Sequence, residues 1–417
     1  MNILILRSSF QTDEFVRNEY AELLQRIENE CRAEIHIIGD ESIETHGRAS
    51  LQTLPDAFMI ATGGVENLFK RIWSAIDVEM MCAPSRPKTV TMIADGRNNS
   101  LAAALEILTW LGNNGMEGRI LHGTNDEIVS AIVETHGRAS LLRGRIGLFG
   151  QPSDWLIASS VDRDFLCQHY GIETVNIDLQ RLIEGIKSVA QDEAATVAQD
   201  MTKRAKTVKE PTGTDMVEAA KAYLAIKKIC QEERLDAFTI RCFDIVKACG
   251  TTSCLALAML NDEGIVAGCE GDMQTLLTML LAKRICGEVA FMANPSQLTD
   301  NSSMLAHCTI PLSMCDETIV RSHFESGIGV AIQGLLPLTD YTLFKWGGPK
   351  LDRYFVTEGK AIETSFSEHF CRTQITLDIN LKPYLLQHSI GNHHAIIRGR
   401  HAEAIRKFMQ EHNVKAC

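Results

Sequence analysis

The chain has no apolar run long enough to cross a bilayer, no paired CxxC spacing and no excess of basic residues. Each gap removes a class of function. A membrane-spanning helix needs about 20 mostly apolar residues, so no membrane partner is expected. Lys and Arg number 41 against 53 Asp and Glu, a formal net charge of −12. Phosphate-rich partners select a basic surface, so nucleic acid is not expected either. The opening Met1-Asn2-Ile3-Leu4-Ile5-Leu6-Arg7 lacks the basic n-region and cleavable h-region of a signal peptide. It reads instead as a short buried first strand. The 13 cysteines are scattered and odd in number. Without CxxC pairs they suit free, mostly core thiols in a reducing cytoplasm. Thr62-Gly63-Gly64-Val65-Glu66-Asn67 follows a strand and opens a helix, but has neither Walker nor dinucleotide spacing. A helix N-terminus of that kind favours an anion, such as a phosphate or sulfonate group.

What is present is an ordinary globular balance, 45% apolar and 23% charged over 417 residues. At roughly 100–200 residues per domain, that length suggests two to four domains. In the first part of the chain, short apolar runs alternate with amphipathic stretches. Strands are expected at Asn2–Leu6, Ala33–Ile38, Ala57–Ala61, Thr89–Ile93 and Gly118–Leu121, with helices such as Glu14–Glu28, Val65–Ile76 and Ser100–Leu111 between them. Such alternation argues for a parallel sheet covered on both faces. A second cycle starts at Gly144, and a polar, Lys-rich stretch from Ala190 to Thr214 reads as a solvated helix and loop. After about residue 305, short strands with Gly and Pro punctuation indicate a β-rich region. The expected division is 1–143, an α/β domain; 144–290, a second doubly wound α/β domain; and 291–417, a β-rich domain. The octapeptide Glu44–Leu51 recurs word for word at Glu134–Leu141. No other repeat shares that period, so it does not mark a solenoid.

The segment richest in chemistry runs from Gly264 to Pro311. Ile265-Val266-Ala267 ends in Gly268-Cys269-Glu270-Gly271-Asp272, and a helix follows with Met273, Leu276, Leu277 and Leu280 as its buried stripe. Asp272 stands where an N-cap belongs. Glu270 therefore lies at the carboxyl end of a strand, where open α/β sheets bind ligands. A second strand ends in Asn294-Pro295, a third delivers His307, and Ser389–Ile397 reads as an apolar strand headed by His393 and His394. Glu270, Asn294, His307 and His393 form a mixed oxygen and nitrogen set that suits Mn²⁺, Co²⁺ or Zn²⁺ better than a calcium cage. Spacing leaves open whether they converge or serve separately as caps and satisfied polar groups. Adjacent residues on a strand face opposite sides, so only one of His393 and His394 reaches an ion.

Cys269-Glu270-Gly271-Asp272, Phe291-Met292-Ala293-Asn294-Pro295, Ala306-His307-Cys308-Thr309 and Gly391-Asn392-His393-His394 resemble the successive motifs of the L-fucose isomerase/L-arabinose isomerase superfamily. Phe149-Gly150 through Asp154, Val161-Asp162 and Gly171–Val175 resemble the opening of that family's second domain. The resemblance implies two doubly wound domains, then a β-rich one, assembled as a cytoplasmic trimer or hexamer with sites near subunit contacts. It implies a Mn²⁺-dependent aldose–ketose isomerase acting on a pentose, a 6-deoxyhexose or a substituted sugar. The ion chelates two sugar oxygens, and a carboxylate moves a proton between C1 and C2 through an enediol. By position, Glu270 matches the catalytic carboxylate that also ligates metal, His393 the C-terminal ligand, and His307 a ligand of the arabinose branch.

Asn294 departs from the pattern, standing where the fucose branch has an aspartate. An amide ligates through oxygen but cannot act as a general base. Asp272 or Asp300 then takes that role, or the reaction differs: an epimerisation, or sugar binding without catalysis. Thr62, Gly63, Gly64, Asn98 and Asn99 resemble sugar-site loops. His323, Glu325 and His394 are the remaining candidates for sugar contact.

Overall fold

The computed structural model describes residues 2–31, 33–39, 55–80, 89–364 and 366–417. The chain forms two compact units, Met1–Arg143 with Cys167–Gly171, and Gly144–Leu166 with Ile172–Cys417. The architecture is mixed α/β, with parallel sheets and an antiparallel, barrel-like sheet. Among the described residues no disulfide forms. None of their helices is long and apolar enough to cross a membrane.

In the first unit, β1 (Asn2–Leu6), β2 (Glu34–Ile38), β3 (Ala57–Ile60), β4 (Thr89–Ile93) and β5 (Glu117–Leu121) pair in parallel in the order β2-β1-β3-β4-β5. That is a doubly wound order, with its switch point between β1 and β3. The apolar runs of β1 and β3 are continuous because both faces are covered. Leu4, Leu6, Phe58 and Ile60 enter one core, and Ile3, Ile5, Ala57 and Met59 the other. The helix expected over Glu14–Glu28 is two, Asp13–Glu19 and Ala21–Glu30, broken at Tyr20. Of the repeated octapeptide, the copy at Glu44–Leu51 lies outside the described residues, and the other lies within the helix Asn125–Leu142.

The second unit opens with β6 (Gly144–Phe149), β7 (Ile172–Ile177), the two-residue β8 (Thr207–Val208), β9 (Ala237–Ile240) and β10 (Val266–Cys269). Four of these make a parallel sheet in the order β10-β9-β6-β7. The polar helix Gln191–Arg204 is not fully solvated, as its sequence suggests. Ala194, Ala198 and Met201 are buried in the core of this unit. Small residues one turn apart give a narrow stripe that packs closely while the rest of the helix stays polar.

Then follow β11 (Ala290–Leu298), β12 (Ser303–His307), β13 (Glu317–Arg321), β14 (Ala331–Leu335), β15 (Asp340–Gly347), β16 (Arg353–Glu363), β17 (Thr373–Leu377), β18 (His394–Arg398) and β19 (Lys415–Ala416). The order β15-β18-β11-β12-β17-β16 closes on itself through β15–β16, while β8, β13 and β14 form a small separate sheet. Closure removes the sheet edges. The apolar strand expected over Ser389–Ile397 starts only at His394, so His393 sits in the turn before it. β15 escapes the alternation test because it is buried on both faces from Tyr341 to Gly347.

The chain turns sharply after β10. Glu270 and Gly271 are both left-handed, with φ of 62° and 76°. Asp272 then caps the helix Met273–Cys286, its side chain accepting from Thr275 N. A Cβ at Gly271 would stand 2.6 Å from Pro152 Cα. Gly271→Ala is therefore expected to destabilise the protein by about 1–3 kcal/mol, read as a lower urea midpoint. An unchanged midpoint would show that the turn can relax.

Candidate functional site

Three elements of the second unit deliver three side chains to one place. Glu270 follows directly on β10, β12 ends at His307, and the turn before β18 presents His393. Glu270 Oε1 lies 3.5 Å from His393 Nε2 and 3.8 Å from His307 Nε2. Both imidazoles are buried, as is most of the carboxylate. Among the described residues, these three form the one group of His, Cys, Asp or Glu whose ligand atoms all lie within 4.8 Å of one another.

Asp272 stands behind His393. Its Oδ2 lies 3.0 Å from His393 Nδ1, and it also accepts from Thr275 N and Thr275 Oγ1, both at 2.8 Å. Lys345, fully buried on β15, donates to Thr275 Oγ1 at 2.8 Å and places Nζ 3.9 Å from Asp272 Oδ2. Enclosed by these groups, Asp272 acts on His393 from the rear. The bond to Nδ1 aims Nε2 at Glu270, the carboxylate–histidine arrangement that orients metal ligands. His393 Nε2 and His307 Nδ1 are buried without a hydrogen-bond partner. Buried nitrogens left so are costly unless something else occupies them. Of the two, His393 Nε2 is the one that faces Glu270, whose carboxylate meets His307 through Nε2; a divalent ion would satisfy the His393 nitrogen, and the donor set of one carboxylate and two imidazoles suits it.

The electrostatics agree. Burial pushes the Glu270 carboxyl up, but His307 and His393 outweigh it and hold it well below the usual carboxylate range. Asp272 is likewise pushed up by burial, then brought down to about 2 by Lys345 and His393. Burial would lower His393, yet Asp272 and Glu270 raise it to about 9. His307, facing only Glu270, stays lowered by burial.

The other expected site residues fall in several different places. Asn294 Oδ1 accepts from Asn392 Nδ2 at 3.2 Å, which ties it to the His393 turn. His394 faces away, with Nε2 3.0 Å from the Tyr384 hydroxyl, and burial with the Lys345 charge lowers it to about 3. Asp300 is a surface residue paired with Lys382 at 2.9 Å. His323 and Glu325 sit within electrostatic reach of Glu270. His323 is lowered to about 4 by burial, and Glu325 is raised by partial burial and by the Glu270 charge. In the first unit, Thr62 Oγ1 accepts from Ser8 N at 2.8 Å, and Gly63 N donates to Asn98 O at 2.7 Å. Asn98 and Asn99 are both left-handed. These residues meet at the carboxyl ends of β1, β3 and β4.

Sequence reasoning missed two side chains. Trp155 donates from Nε1 to Glu270 Oε2 at 2.6 Å. Lys345 lies in the apolar run Tyr341–Gly347, and a lone cation inside such a run is the signal that could have marked it.

No family model matches the chain. It is similar to proteins named sulfoquinovose isomerase. That of Alkalicoccus urumqiensis is 23% identical over 63% of this chain and 62% of its own length. That of Clostridium sp. (strain MSTE9) is 26% identical over 54% and 52%, and that of Priestia megaterium 22% over 61% and 60%. The chain thus spans about half to three-fifths of the relatives it matches.

His393 yields a pH test. Its folded-state value is raised from 6.5 to about 9. The stability this contributes is complete below about 6.5 and is lost as the pH rises through about 9. Urea unfolding in the presence of a chelator is expected to show a fall across that window, and His393→Gln to flatten it. A wild-type midpoint unchanged from pH 6 to 9 would refute the charged His393.

Proposed function

We propose that the protein is a metal-dependent aldose–ketose isomerase of the L-fucose/L-arabinose isomerase type, acting on a substituted sugar such as the sulfoquinovose named in its relatives. The observation that carries this reading is the meeting of Glu270, His307 and His393, with Asp272 fixing His393 from behind. Glu270, His307 and His393 would hold the ion, with the Asn294 amide on β11 beside the His393 turn. When bound, a divalent ion such as Mn²⁺ polarises two sugar oxygens and acidifies the hydroxyl.

The protein's own part is proton handling. Glu270 Oε1 is turned towards the imidazoles, which leaves Oε2 to take the proton that moves between C1 and C2. A carboxylate oxygen has two lone pairs, so Oε2 can keep the Trp155 bond while it accepts that proton. Held ionised by the two imidazoles, Glu270 starts the reaction as a base. With Asn294 unable to exchange protons, Glu325 is the carboxyl available for the sugar oxygens. The same proton abstraction also serves an epimerisation, and the Asn294 amide is the observation that favours this second reading.

The test is product analysis by NMR with sulfoquinovose, L-fucose and L-arabinose in the presence of Mn²⁺. Ketose formation is expected, abolished by chelator and restored by Mn²⁺. Glu270→Gln should lower the rate on the order of 10³-fold with the fold intact. An epimer in place of a ketose would select the second reading. Full activity in Glu270→Gln, or in metal-free protein, would defeat both.

A further inference from the structure

The loop that follows β6 crosses the Glu270 turn and is fastened at both ends. At the far end, Gln274 donates from Nε2 to Ala158 O at 2.9 Å and to Ser160 O at 3.1 Å. At the near end, Ser153 N donates to Glu270 O at 2.9 Å, and Pro152 packs on Gly271. Arg241 supplies the remaining fastening. Its Nη1 donates to Pro152 O at 2.8 Å and to Asp154 Oδ1 at 3.1 Å, and its Nη2 to Asp154 Oδ2 at 2.8 Å. Nε donates to Asp244 Oδ2 at 2.7 Å. Between these anchors Trp155 hangs half-exposed over the site, its indole N–H on Glu270 Oε2. Its ring meets Phe243 edge-on at 5.2 Å.

Two features separate this clamp from ordinary surface pairing. Arg241 follows β9 directly, so the fork is mounted on a strand of the parallel sheet and gives a rigid reference. The pair is also too exposed to matter much for stability, with the Asp154 side chain 85% exposed. The guanidinium borders an open pocket of about 510 Å³, so it is not filling a core. What a two-pronged arginine–carboxylate contact does fix is direction.

We infer that Arg241 is a positioning residue: with Asp154 and the Pro152 carbonyl it fixes the turn that presents the Trp155 indole to Glu270 Oε2, and so sets the orientation of that carboxylate. The inference rests on Glu270 being the working carboxylate of the proposed isomerase. Removing the fork loosens Trp155, and the carboxylate loses its only fixed partner on the Oε2 side among the described contacts.

Protein labelled with 5-fluorotryptophan tests this by ¹⁹F NMR, with the Trp155 resonance assigned from Trp155→Phe. In Arg241→Ala and in the more exposed Asp154→Ala, that resonance should shift and sharpen while those of Trp73, Trp110 and Trp346 stay. In turnover with Mn²⁺, each variant should lose about ten- to hundredfold in kcat. Trp155→Phe should lose as much, and Arg241→Ala/Trp155→Phe no more than either single change. A Trp155 resonance unmoved in both variants overturns the inference, and so do losses that multiply in the double variant. A shifted resonance in a protein that turns over no sugar keeps the clamp and removes the proposed function.

Discussion

The buried carboxylate of Asp272 is the constraint on which the site depends. Taking such a charge out of water costs several kcal/mol unless fixed donors replace the solvent. Here the Thr275 amide donates to Oδ1 and its hydroxyl to Oδ2, His393 faces Oδ2, and Lys345 Nζ stands close by. Each of these contacts also organises something else. The Thr275 amide bond starts the helix Met273–Cys286, the His393 contact sets a ring orientation, and Lys345 ties in β15. One side chain thereby joins the end of the parallel sheet to two strands of the barrel-like sheet. A neutral residue could cap the helix but could not hold both cations.

Much of this was legible one piece at a time. The apolar runs of β1, β3, β4, β6 and β10 announce buried parallel strands, and Glu270 at the end of β10 announces a ligand-facing position. Asp272 reads correctly as a cap from its place before an apolar stripe. Its second role is illegible, because His393 lies 121 residues away and Lys345 comes from a strand with no alternation. The convergence of Glu270, His307 and His393 is likewise a product of strand order, with β12 and β18 on either side of β11 and Glu270 following a strand of the other sheet, which no local pattern encodes. Trp155 is hidden for a different reason: it sits in a loop with no periodicity, and its partner belongs to another loop.

The two histidines divide the electrostatic work. His393 lies between two carboxylates and is raised, whereas His307 faces one and stays lowered by burial. His393 is therefore raised between Glu270 and Asp272, whereas burial lowers Lys345 against the pull of the Asp272 charge. Lys345 cannot leave, since it is wholly enclosed. The His393 proton can, because Nε2 opens towards Glu270.

This asymmetry bears on how a cation would enter. A divalent ion held there would displace the single His393 proton and so add one positive charge beside Glu270, while the ring stays where Asp272 holds it. No side chain has to move to create the ligand, because the orientation is set from behind and the exchange happens in front. The outer groups, Asp272 and Lys345, thus preserve the shape of the site through a change of charge. Glu270 gains from the same arrangement. With one oxygen committed to the imidazole side and the other held by an indole N–H, its carboxylate plane is fixed before any substrate arrives, and such preorganisation removes a cost otherwise met in the transition state.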